Sequence, residues 1–149
     1  MFKQLVDRIR KSKMTPYTVV VRHAHPNGPS GDDSRSLSVA GREQSRETAR
    51  VILERFNGQG YEFRVFASRI VRAYETAEII ATELGVTAEV VPWLNDDMSL
   101  PSPFEVITQL QTLPNNCVPV LVTHAPQVAA LTGNMYAQHA EPTFRERRL

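Results

Sequence analysis

Two arginines, two histidines and a serine stand where apolar runs of this 149-residue chain stop. Tyr17-Thr18-Val19-Val20-Val21 ends at Arg22-His23-Ala24-His25, and Leu121-Val122 ends at Thr123-His124. Phe66-Ala67 ends at Ser68, with Arg72 one turn inside the helical pattern that follows. A β-branched apolar run reads as a buried strand. Groups just past its end lie at the rim of a sheet, where open α/β sheets bind their ligands. Guanidinium groups offer planar donor forks that match phosphate oxygens. Ser68 and the helix start beyond it add a hydroxyl, backbone N–H groups and a favourable dipole. One neutral imidazole can act as a nucleophile, and the other can give a proton or positive charge to the group in transfer. Phosphoryl transfer is mostly positioning and charge stabilisation, so such a pocket works without metal or cofactor.

The elements that must position these groups alternate along the chain. Strand patterns cover 17–22, 63–67, 88–91 and 118–122, and helical periodicity covers about 39–56, 69–84, 104–112 and 127–138. Ser38 suits the N-cap of the first helix, and Ala49, Ile52, Leu53 and Phe56 give its apolar stripe. Gly85 suits the stop of the second, and Val128, Leu131 and Met135 share a face of the last. Pro119 argues for an edge or the opening of a strand. The pattern predicts a three-layer α/β/α fold with a mostly parallel central sheet, covered on both faces. With 149 residues, a single domain over 1–149 is expected. Parallel neighbours would bring Arg22, His23, Ser68, Arg72 and His124 to one crevice.

Composition narrows the function classes. A hydrophobic fraction of 42% and a charged fraction of 22% describe an ordinary globular protein. A net charge of +1 gives no global attraction to nucleic acid. Cys117 is the only cysteine, so no internal disulfide can form, which fits a reducing, cytoplasmic setting. Its place beside a strand reads as packing rather than catalysis. No apolar run reaches the roughly 18 residues of a membrane span, and no secretory h-region opens the chain. Phe2, Leu5, Val6 and Ile9 share a face of a basic helix over 1–13, read as a helix appended to the domain rather than a membrane-surface element.

Four stretches in order resemble the histidine phosphatase superfamily, also called phosphoglycerate mutase-like. Val21-Arg22-His23-Ala24 is similar to its Arg-His-Gly/Ala signature. Leu37-Ser38-Val39-Ala40-Gly41-Arg42-Glu43-Gln44-Ser45 resembles its Leu-Thr-x-x-Gly-x-x-Gln-Ala helix start. Ser68 to Ala77 resembles Ser-Pro-x-x-Arg-Ala-x-Gln-Thr-Ala, and Val122-Thr123-His124-Ala125-Pro126 resembles Gly-His-Asn-Pro. The small size and Asp32-x-x-Arg35-x-Leu37 look most like the branch containing phosphohistidine phosphatase SixA. The resemblance implies that His23 forms a phosphohistidine and that Arg22, Arg72 and His124 bind the phosphoryl group. Ser68 would support the pocket or contact phosphate, its competing role being a helix N-cap. Ala24 stands where glycine is commoner, and its methyl would be costly if φ were positive there. Arg69 stands where proline is common and would add a cation to the rim. Thr123 and Ala125 replace glycine and asparagine around His124. The eleven residues after Gln138 are short for the last strand that larger members carry.

Substrates implied are a phosphorylated protein or a phosphorylated small molecule. A small-molecule phosphomonoesterase would need an acid for its poor leaving group, and Asp96 or Asp97 are the candidates, with turn and cap chemistry as their plainer reading. SixA-like members are thought to manage without that acid. His23, His25 and His124 as metal ligands are a weaker reading, because neighbouring arginines disfavour a cation. His25 reads as a loop residue at the mouth and His139 as a solvated tail residue. A mutase would need a larger substrate lid, and a non-catalytic phosphate-binding adaptor would not need both histidines.

Overall fold

The structure is a computed structural model that describes residues 2–4, 17–95 and 103–146. Of the helix expected over 1–13, residues 2–4 are helical with exposed side chains, and the remainder lies outside the described residues. So do Asp96 and Asp97.

A five-stranded sheet in the order β3-β2-β4-β1-β5 forms the middle layer. Its strands are β1 (Tyr17–Arg22), β2 (Glu62–Ala67), β3 (Ala88–Val90), β4 (Cys117–Thr123) and β5 (Pro142–Glu146). The first four are mutually parallel, and β5 runs antiparallel against β1. The last strand is therefore present despite the short tail, because an edge strand needs only the five residues that pair with Tyr17–Val21. Helices α1 (Val39–Arg55), α2 (Val71–Leu84), α3 (Pro103–Leu110) and α4 (Ala125–Thr132) cover the two faces.

Alternation along the strands divides the core. Val19, Val21, Val65, Val118, Val120 and Val122 face α1 and α2, where Ala49, Ile52, Ala73, Ala77 and Ile80 meet them. Val20, Phe66 and Leu121 face the other way, onto Val106, Leu110, Val128 and Leu131 of α3 and α4. This period-2 switch is what a sheet buried on both faces requires. The expected stripe of α1 narrows to Ala49, Ile52 and Phe56, since Leu53 is 40% exposed.

Pro119 does not mark an edge strand, because β4 is the central strand of the sheet. Amides of even-numbered β2 residues bond even-numbered β4 carbonyls, as Glu62 to Asn116 and Ser68 to Val122. His23 bonds odd-numbered Thr123. The proline nitrogen therefore faces β1, whose pairing with β4 opens one residue later at Val19–Val120. The missing donor falls where the ladder has not begun.

Helix ends follow local chemistry. Ser38 caps α1 by accepting from the Gly41 amide at 3.0 Å. Gly85 ends α2 with φ 78°. The last helix stops at Gly133, also at φ 78°, well before the expected Gln138. Met135 is left 74% exposed as a result, off the apolar face on which periodicity puts it.

Gly41 has a steric reason. A Cβ there would run into the carbonyl oxygen of His25. That carbonyl is already held by the Ser38 amide at 2.9 Å and the Ser38 hydroxyl at 3.0 Å, so it cannot retreat. Gly41→Ala is expected to cost about 1–3 kcal/mol in urea unfolding. A stability equal to that of the parent would show that the α1–His25 contact is looser than its geometry implies.

Candidate active site

The site is built on the carboxyl ends of β1, β4 and β2, three adjacent parallel strands. Arg22 pairs with Thr123 and Ala67 with Val122, so His23, His124 and Ser68 emerge side by side. The His23 amide donates to the Thr123 carbonyl at 2.9 Å, carrying the ladder one residue past β1. The rings of His23 and His124 lie 5.4 Å apart, centroid to centroid. Both are buried, at 7% and 3% exposure. Arg72 enters from the first turn of α2 and is also buried. Arg22 is half-buried, and its Nη1 donates to the Ala137 carbonyl at 2.9 Å.

Ser68 is not the N-cap of α2. That position is Ile70, which has no side-chain cap. The Ser68 hydroxyl accepts from the Ile70 amide at 3.2 Å and lies 3.0 Å from His124 Nε2. It thus fixes the second histidine and the turn into the helix together. The amides before α2 are largely committed within the protein. Ser68 donates to Val122 at 3.2 Å, and Arg69 donates to Asn95 Oδ1 at 3.1 Å. The expected cradle of backbone donors is therefore reduced, which leaves side chains as the main candidate donors to an anion. Arg69 itself is exposed.

Neighbouring polar residues lock the frame. Thr76 donates to the Arg72 carbonyl at 2.7 Å and accepts from the Ala24 amide at 3.0 Å, tying α2 to the loop beyond His23. Ala24 does not have positive φ; among the described non-glycine residues only Ala140 does. The methyl is therefore no burden at position 24 and is fully buried. Thr123 donates to the Leu94 carbonyl at 2.7 Å, so the change from glycine beside His124 gives an anchor. The sequence motifs contain Thr76 and Thr123, but their roles needed partners 52 and 29 positions away.

His23 Nδ1 lies 2.9 Å from the Ala24 carbonyl. A carbonyl only accepts, so Nδ1 carries the hydrogen and Nε2 keeps its lone pair. The pKa of His23 falls from its ordinary 6.5 to about 3. Burial is the main cause; the Ala24 hydrogen bond works against it, and electrostatic interaction with His124, Arg72 and Arg22 pushes it further down. Burial also lowers the pKa of Arg22. The arrangement thus offers an unprotonated imidazole nitrogen among cationic forks, suited chemically to attack on an anionic electrophile.

Two side chains belong to this neighbourhood that periodicity and motifs did not mark. Asp33 accepts from Arg72 Nη1 at 3.3 Å while remaining 68% exposed. His139 is half-buried rather than solvated, with its ring 5.6 Å from that of His23 and 5.4 Å from that of His25. The cause is the tail's return: the Ala140 amide donates to the Arg22 carbonyl at 2.9 Å and draws His139 over the site. His25 is exposed at the mouth, as expected, with Nδ1 2.8 Å from the Ser38 hydroxyl. Among the described residues, no three His, Cys, Asp or Glu side chains form a group that could hold a metal ion. No described helix is long and apolar enough to cross a membrane. Cys117 is buried in β4.

The sequence profile of the histidine phosphatase superfamily (branch 1) matches residues 4–100, and the chain belongs to that family. The match ends before His124, whose place beside His23 is a result of the fold. No curated protein sequence matches the chain. Among solved structures, the protein histidine phosphatase SixA complexed with tungstate is 24% identical, with a TM-score of 0.66 over 87% of this chain and 94% of its own. A protein of Agrobacterium tumefaciens provisionally named phosphohistidine phosphatase SixA is 13% identical, with a TM-score of 0.67 over 90% of this chain and 92% of its own. A mycobacterial glucosyl-3-phosphoglycerate phosphatase is 19% identical, with a TM-score of 0.60 over 79% of this chain and 78% of its own. At these identities the likeness is one of fold.

Two outcomes follow from the site's electrostatics. Between pH 6.5 and about 3 an unfolded His23 binds a proton that the folded one refuses, so acidification through this window lowers stability. The loss by pH 5 is expected to be about 2 kcal/mol. His23→Asn should flatten that part of a pH series of urea midpoints; an unchanged slope would place the effect elsewhere. Asp33→Asn removes a carboxylate that competes for Arg72. The exposed contact is weak, so inorganic phosphate should bind about two- to fivefold tighter by calorimetry. Equal or weaker binding would count against competition.

Proposed function

We propose that this protein is a phosphatase that works through a phosphohistidine on His23. The observation that carries the reading is the His23 Nδ1–Ala24 carbonyl bond at 2.9 Å, which leaves Nε2 as the reactive nitrogen. Nε2 attacks phosphorus, the bond from phosphorus to the leaving group breaks, and the phosphoryl group passes to the ring. Arg22, Arg72 and His124 hold the phosphoryl oxygens, and Ser68 keeps His124 in place. Water then attacks the phosphohistidine, releasing phosphate and restoring His23. Nδ1–H stays on the carbonyl throughout and stabilises the charge that grows on the imidazole during attack. The reading needs no metal, because the positive charge is supplied by side chains.

The substrate favoured is a phosphohistidine on a protein. Support comes from the fold shared with SixA and from the Asp32-x-x-Arg35-x-Leu37 run. A protonated phosphoimidazole is a good leaving group and makes little demand on an acid. The second reading, a sugar or metabolite phosphomonoesterase with Asp96 or Asp97 as acid, draws on the glucosyl-3-phosphoglycerate phosphatase among the fold neighbours.

His23→Ala is expected to abolish turnover and to remove an acid-labile ³²P label that the parent chain acquires. Undiminished turnover would overturn the mechanism. Asp96→Asn and Asp97→Asn separate the substrates. A protein phosphohistidine phosphatase keeps its rate within about twofold, whereas a phosphomonoesterase loses on the order of 10²-fold or more with the true acid.

A further inference from the structure

Three imidazole rings lead from the buried nucleophile to the surface. His23 is buried, His139 is half-buried and His25 is exposed. Successive centroids are 5.6 and 5.4 Å apart, inside the roughly 4.5–7 Å range of aromatic pairs. The planes of His25 and His139 stand 88° to each other, forming two sides of a corner. The outer two rings are positioned by their surroundings. His139 is followed directly by Ala140, which bonds the Arg22 carbonyl and whose own carbonyl accepts from Thr48 at 2.5 Å. His25 is held through Nδ1 by Ser38.

Burial gives this corner a direction. His124, Ser68 and Arg72 close the inner side of the site, each less than a tenth exposed. Arg22 and His139 are half-buried and His25 is exposed, so the site is open on their side. A leaving group that departs from His23 on that side passes these rings. His139 also borders a groove of about 530 Å³ between α1 and residues 139–142, with Ala40, Gln44 and Val51 on the helix side. A leaving group attached to a larger body has room to continue there.

We propose that His139, with His25, is a specificity residue that packs against a flat ring in the leaving group, selecting N-phosphorylated imidazoles and aryl phosphates over alkyl phosphates. The inference rests on the phosphatase reading and narrows its substrate class. The pKa of His139 is lowered, first by burial and then by Arg22, His25 and Arg35. An imidazole without charge near neutral pH stacks on a ring without the desolvation cost that a buried cation carries. An alkyl phosphate meets the same phosphoryl pocket but gains nothing from the corner.

Binding of two non-hydrolysable probes tests this, phenylphosphonate and methylphosphonate, titrated calorimetrically into the parent chain, His139→Ala and His139→Phe. The parent is expected to prefer the phenyl compound by about five- to tenfold. His139→Ala should bring the ratio near one, and His139→Phe should keep most of it. A merely structural His139 would weaken both probes alike, and that result overturns the proposal, as does a preference that survives in His139→Ala. Turnover of a phosphohistidine protein and of phenyl phosphate by the parent is measured in parallel. If the parent hydrolyses either while His139→Ala retains the full preference, the ring proposal alone falls. If the parent shows the phenyl preference and His139→Ala loses it, but neither the phosphohistidine protein nor phenyl phosphate is hydrolysed, the phosphatase reading falls and the ring site stands.

Discussion

The site depends on one hydrogen bond beyond the end of a ladder. The His23 amide reaches the Thr123 carbonyl at 2.9 Å and continues the β1–β4 pairing past the last residue of either strand's apolar run. Side chains on neighbouring parallel strands at matched register point the same way. His23 and His124 therefore face each other because their strands are in step. A slip of one residue would send one ring to the opposite face and leave an arginine or threonine in its place. Register is constrained by packing as well, through Val19, Val21, Val118, Val120 and Val122 on one face and Val20 and Leu121 on the other.

Around that bond the protein gathers arginine and imidazole side chains in a small space. Arg22 and Arg72 stand beside two imidazoles, and the carboxylate at 3.3 Å from Arg72 belongs to exposed Asp33. Holding cations close in a partly dry space is unfavourable until an anion arrives. The depressed pKa of His23 reports the same tension, since burial and positive neighbours both oppose a further proton. Polar anchors resist its relief: Thr76 ties Arg72's helix to Ala24, and Thr123 ties His124's strand to Leu94. These anchors hold the cations in place against their mutual repulsion.

Much of this was legible in the chain. Strand ends at Arg22, Ser68 and Thr123 were visible because a buried parallel strand needs an unbroken apolar run, and the rim residue breaks it. Ser38 and Gly85 announced helix ends through capping chemistry that acts within a turn. Legibility failed where the cause was distant. Met135 continued the apolar period of α4, but Gly133 had already turned the backbone. Pro119 reads as marking an edge or the opening of a strand, and which of the two depends on the neighbour its nitrogen faces: here it precedes the opening of the β1 ladder. His139 gave no local signal, since only the Ala140–Arg22 bond brings it to the site. Ser68 suits either a cap or a pocket group by sequence, and the fold gives its hydroxyl to His124 and the Ile70 amide.

β5 does more than close the edge of the sheet. Ala140, with φ 61°, is the bend from which the strand departs, and it is gripped by Arg22 on one side and Thr48 on the other. The residue before that bend faces the mouth, while the residues after it pair with β1. One short segment therefore carries two separable duties. Its paired half is constrained by the ladder, but its leading half, which carries His139, is not. On the proposed function, such a fold can be retuned to new leaving groups from its tail while the groups on β1, β2 and β4 stay as they are.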